Sequence, residues 1–125
     1  MTESAEGPAS AMQYVEHEPG AWFLVRRDDR YYLEARYTYS AAVDDSALVA
    51  LTAAELEAYR AGGHEYLSQL ARKIHRSAPY TEGSSYYSRD LYRRGGEAAR
   101  RYRGEVSAAI ADHTWQAEQR RAKRG

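Results

Sequence analysis

The feature that most restricts the fold is a pair of aromatic, apolar runs set on either side of two aspartates. Residues 21–27 read AWFLVRR and residues 30–40 read RYYLEARYTYS, with Asp28 and Asp29 between them. Such runs read as strands, and two intervening turn-forming residues make a tight hairpin connection. A two-residue turn sets Arg27 opposite Arg30, Leu24 opposite Leu33 and Trp22 opposite Ala35. One face of the hairpin then carries Trp22, Leu24, Tyr31, Leu33, Ala35, Tyr37 and Tyr39. The other carries Phe23, Val25, Tyr32, Glu34, Arg36, Thr38 and Ser40. A slip of one residue would scatter both sets, so this register is favoured. Phe23, Val25 and Tyr32 form an apolar island on the second face, which the N-terminal tail, a helix or another molecule must cover.

The flanking sequence extends this hairpin into an α+β domain. Residues 42–46 read as a turn and residues 47–51 (ALVAL) as a short third strand, giving a three-stranded antiparallel meander. Thr52 and Glu55 have the spacing of a helix capping box. Leu56, Tyr59, Gly63, Leu67, Leu70 and Ile74 follow at helical spacing, predicting one helical path over residues 53–76. Gly62-Gly63 either bends or breaks that path. Ser77, Ala78 and Pro79 end it, and residues 79–88 read as a loop rich in Ser, Tyr and Gly. A last helix is expected over residues 97–121, with Tyr102, Val106, Ala109, Ile110, His113 and Ala117 on one side. The order β-β-β-α-α predicts helices packed on one face of a small sheet. Residues 1–19 hold Gly7, Pro8, Pro19 and four glutamates. They read as a mostly disordered acidic tail, with Tyr14 and Val15 docking. The domain is expected over residues 20–121, with residues 122–125 frayed.

Composition narrows the chemistry. The chain has no cysteine, which removes disulfides, thiolate zinc sites and cysteine nucleophiles. Its first residues lack the basic and apolar segments of a signal peptide, and no apolar run approaches the ~20 residues needed to span a bilayer. A cytoplasmic protein with no membrane partner is the expectation. Net charge is zero, yet residues 1–50 carry nine acids against four bases, and residues 51–125 nine against fourteen. That asymmetry predicts a bipolar surface. Sixteen of the eighteen bases are arginine, a bias that a GC-rich bacterial genome also produces. Twelve of the fifteen aromatic residues are tyrosine, whose polar tip suits surfaces that meet both water and a partner.

No constellation in the sequence points to catalysis. His64 and His75 share one side of the predicted helix but stand about 16 Å apart along it, too far to share a metal. The pairs Asp28-Asp29 and Asp44-Asp45 fall where turns are needed, at opposite ends of the second strand. There is no nucleophile elbow and no phosphate-binding loop. No cofactor and no metal are expected. An enzyme would need a pocket where His64 or His75 meets a tyrosine or a sheet carboxylate.

The remaining signal is an Arg/Tyr segment containing Tyr86, Tyr87, Arg89, Tyr92, Arg93 and Arg94, continued by Arg100, Arg101, Tyr102 and Arg103. The reading is a non-enzymatic bacterial interaction protein, comparable in general character to small immunity or antitoxin proteins. A protein partner would be contacted through Phe23, Val25, Tyr32, Arg36 and the Arg/Tyr segment. The island could also pair with its own copy as a homodimer. The alternative is a nucleic-acid binder, since arginines among aromatic rings contact phosphates and stack bases.

Overall fold

The computed structural model describes residues 11–40, 43–93 and 95–124. Four antiparallel strands run in sequence order across one sheet: β1 (Gln13–Glu18), β2 (Trp22–Arg27), β3 (Arg30–Ser40) and β4 (Val43–Ala50). Two helices follow, α1 (Ala53–Arg76) and α2 (Gly96–Arg124). The class is α+β, with one strand more than the meander expected from sequence.

The additional strand is β1, inside the stretch read as a tail. Its glutamates and Pro19 resemble linker composition, but Pro19-Gly20 forms a turn that folds residues 13–18 back onto β2. Gly20 takes φ 75°, and the Ala21 N–H donates to the Glu18 carbonyl at 3.0 Å. Proline followed by a positive-φ glycine is the chemistry of a type II turn. A bulge between Tyr14 and Glu16 shifts the β1–β2 register. Residues 1–10 of the expected tail lie outside the described residues.

The β2–β3 register follows the hairpin reading: Arg27 faces Arg30, Leu24 faces Leu33 and Trp22 faces Ala35. Asp28 supplies the positive φ (56°) that a two-residue connection requires. The expected turn over residues 42–46 is corrected. Val43 to Ser46 belong to β4, with Asp45 opposite Tyr37 and Asp44 opposite Thr38. Pairing to the long β3 carries the acidic pair in an extended backbone, overriding its turn preference.

The helices do not share one face. On the first face, Trp22, Leu24, Leu33 and Val49 pack against Leu67, Leu70 and Ile74 of α1. On the second, Val25, Tyr32 and Leu48 pack against Val106 and Ala109 of α2. The sheet is the middle layer of three. The intervening segment rounds the β4 edge: Tyr86 joins the first cluster and Tyr92 the second. Between them Asp90, almost fully buried, accepts the Leu48 N–H at 3.0 Å and the Tyr92 N–H at 3.0 Å. Leu91 N–H donates to the Leu48 carbonyl at 2.8 Å. This short bridge satisfies backbone groups that β4 would otherwise leave open at a sheet edge.

The capping box at Thr52 and Glu55 is present in both directions. Gly63 interrupts α1 with φ 63° and ψ −146°, a conformation that only glycine adopts readily, so the Gly62-Gly63 pair breaks the helical path for one residue. Helix α2 runs from Gly96 to Arg124, and residue 125 of the expected frayed end lies outside the described residues.

Candidate recognition surface

The apolar island is not an open surface. Val25 and Tyr32 are buried beneath α2, and the Tyr32 ring packs 5.9 Å from that of Tyr102. Phe23 is half-buried, with the His17 ring stacked on it at 4.9 Å and the Arg36 guanidinium 5.3 Å from its centroid. The expectation of an uncovered second face is therefore corrected. An apolar patch of this size needs cover, and Val106 and Ala109 supply it from within the chain.

The Arg/Tyr segment is engaged in the same way. Arg89 donates to both carboxylate oxygens of Glu55, at 2.6 and 3.1 Å, and to the Ala50 carbonyl at 3.0 Å. Burial would raise the Glu55 pKa, but hydrogen bonds from Arg89 and Thr52 outweigh it and hold the carboxyl below its usual range. Arg93 donates to the Tyr37 hydroxyl at 2.7 Å and approaches Asp90 at 3.6 Å. Tyr86 and Tyr92 are buried. The Tyr92 hydroxyl donates to Glu34 at 2.5 Å, and burial together with that carboxylate pushes its ionisation far above the ordinary tyrosine value. Arginine–ring contacts recur along the segment: Arg89 on Tyr86, Arg93 on Tyr87 and Arg103 on Tyr92, the last at 4.1 Å. The interleaving that resembled a binding surface is in large part an internal brace around the β4 edge. Arg94 lies outside the described residues, while Arg100 and Arg101 are exposed.

His64 does meet sheet carboxylates. Its Nδ1 lies 2.8 Å from Glu16 and its Nε2 2.8 Å from Glu18, while the Tyr59 hydroxyl donates to Glu16. The bulge in β1 turns Val15 and Glu16 toward the same side, which brings Glu16 under α1. Hydrogen bonds to Glu18 and Glu16 raise the His64 pKa. Both ring nitrogens are bonded to carboxylates. The cluster is a latch between α1 and the outermost strand. Beside it, a groove of about 710 Å³ is lined by Glu18, Trp22, Arg36, Ser68, Arg72 and His75. It opens to solvent, Arg72 pairs with Glu65 at 3.4 Å, and Glu18 is held by His64. Among the described residues no group of three or more His, Asp or Glu could hold a metal ion.

The surface that remains lies on α2, at residues of which the sequence reading singled out Arg101 and not Trp115. Trp115 is 59% exposed, the most exposed large hydrophobic side chain described. At ~100° per residue, Arg101, Gly104, Ala108, Ala111, Trp115 and Glu118 fall on one side of the helix, opposite Val106, Ala109 and His113. All six are exposed. Gly104 sits inside the helix without a positive φ, and a Cβ there would meet nothing within 4 Å. The signal was available: Trp115 falls outside the apolar stripe that defines the inner side of this helix.

No family model matches the chain, and neither a curated protein nor a solved structure matches it. No helix among the described residues is long and apolar enough to cross a membrane.

Proposed function

We propose that the protein is a non-enzymatic protein-recognition module that presents the outer side of α2 to a helical segment of its partner. The observation that carries this reading is Trp115. It stands well exposed on a helix whose opposite side is already committed to the sheet. Tryptophan is among the residue types that dominate binding energy at protein interfaces. Gly104, Ala108 and Ala111, N-terminal to Trp115 on the same side, allow a second helix to approach closely. An enzyme is less well supported, because His64 is saturated by two carboxylates and the neighbouring groove is open. Nucleic-acid binding loses Arg89, Arg93 and Arg103 to internal contacts.

Site-specific photocrosslinking in the native cells tests the reading. A photoreactive side chain at Trp115 should yield defined protein adducts, whereas one at exposed Lys73 on α1 should not. Absence of any adduct from position 115, or equal adducts from both positions, contradicts it.

A further inference from the structure

We infer that the helix docking on the outer side of α2 is α2 of a second copy, running antiparallel. This rests on the reading of that side as a recognition surface and names its occupant. The argument comes from the spacing of residues along the outer side. In a two-fold antiparallel pair, each residue faces one whose number completes a constant sum. Setting Trp115 opposite Gly104 also places Ala108 opposite Ala111 and Arg101 opposite Glu118. The largest outward side chain thus meets the one position with no side chain, and the middle of the contact is alanine on alanine.

Charge fixes the direction. Arg101 and Glu118 are exposed, and neither makes an ion pair among the described residues. In the antiparallel pair the Arg101–Glu118 pairing forms twice, once at either end of the contact. In a parallel pair Arg101 would face Arg101 and Trp115 would face Trp115. The helix dipoles favour the antiparallel arrangement as well. Gly104 supports the same conclusion independently. An exposed glycine inside a helix is unfavourable relative to alanine, and among the described residues no atom comes near enough to require it. A partner's indole seated there gives it a reason. The contact runs about 25 Å along the helix from Arg101 to Glu118. It gives a symmetric six-layer assembly, α1–sheet–α2–α2–sheet–α1, with the apolar island of each copy still sealed by its own α2.

Sedimentation velocity over a hundredfold range of protein concentration tests this, using the wild-type chain and surface variants of α2. The wild type should shift from monomer to dimer. Trp115→Ala and Arg101→Glu should each weaken dimerisation at least tenfold while leaving the circular dichroism spectrum unchanged. The double variant Arg101→Glu with Glu118→Arg should return the dimer to within about threefold of wild type, because the opposed charges are exchanged in both pairs. A wild type that stays monomeric at millimolar concentration overturns the inference, as does a dimer indifferent to these changes or a double variant no better than the singles. Adducts from position 115 to a different protein, with a monomeric wild type, would overturn the second copy while sparing the recognition reading.

Discussion

His113 and Trp115 stand two residues apart on α2 and point to opposite sides of it. The His113 ring stacks on Tyr14 of β1 at 3.7 Å, whereas Trp115 is 59% exposed. The two sides of this helix are therefore unlike: its inner side seals the aromatic hairpin, and its outer side is exposed.

The first prediction separates those sides. Val25→Ala removes buried carbon beneath α2 and should lower unfolding stability by roughly 2 kcal/mol. Trp115→Ala should change the stability of the monomer by less than about 0.5 kcal/mol, because little is buried there. Urea denaturation at low protein concentration measures both. A neutral Val25→Ala would mean that the second face is open after all.

A second prediction concerns the β4 edge. Asp90→Ala strands two buried backbone donors, Leu48 N–H and Tyr92 N–H, and should cost about 3 kcal/mol. Asp90→Asn keeps an acceptor oxygen and should cost less than half as much. Burial raises the Asp90 pKa despite its two backbone donors, so removing its charge carries little penalty of its own. Equal losses for the two variants would show that charge, and not the hydrogen bonds, holds the segment.

The His64 latch gives a pH dependence with a definite sign. Its folded-state pKa is raised, by Glu18 and then Glu16, above the ordinary value near ~6.5. The latch therefore contributes fully below that ordinary value and loses its contribution as pH climbs through the raised one. Ring-proton NMR shifts should place the His64 midpoint above that of an unstructured histidine, and Glu18→Gln should bring it down. A midpoint at the ordinary value in the wild type would contradict the paired geometry.

Two glycines should respond in opposite directions. Gly63→Ala forces a side chain into φ 63°, ψ −146° and should destabilise by about 1–3 kcal/mol. Gly104→Ala lies in ordinary helix with open space around it and should stabilise the monomer by about 0.5–1 kcal/mol. Thermal unfolding of dilute protein reads both. The same Gly104→Ala should weaken self-association, since it fills the place assigned to the partner's Trp115.

Much of the fold was legible because period-two and helical spacing are local signals. The Asp28-Asp29 hairpin register, the Thr52 cap and the paths of both helices follow from residues near in sequence. Strand β1 was not legible, since Glu16, Glu18 and Pro19 have the composition of a linker until β2 is there to pair with. The side taken by α2 depends on how the segment between the helices rounds the β4 edge. That path turns on Asp90, whose role is visible only once Leu48 is beside it. For the same reason Arg89 and Arg93 read as surface cations in the sequence, although Glu55 and Tyr37 receive them in space. Trp115 could have been found from helical phase alone.

The central claim is tested most directly by isotope-filtered NMR on a mixture of labelled and unlabelled chains. Intermolecular contacts from the Trp115 indole protons to the Gly104 α-protons and the Ala108 methyl are the predicted result. Contacts from Trp115 to its own copy only, at concentrations where the wild type should be dimeric, would contradict it.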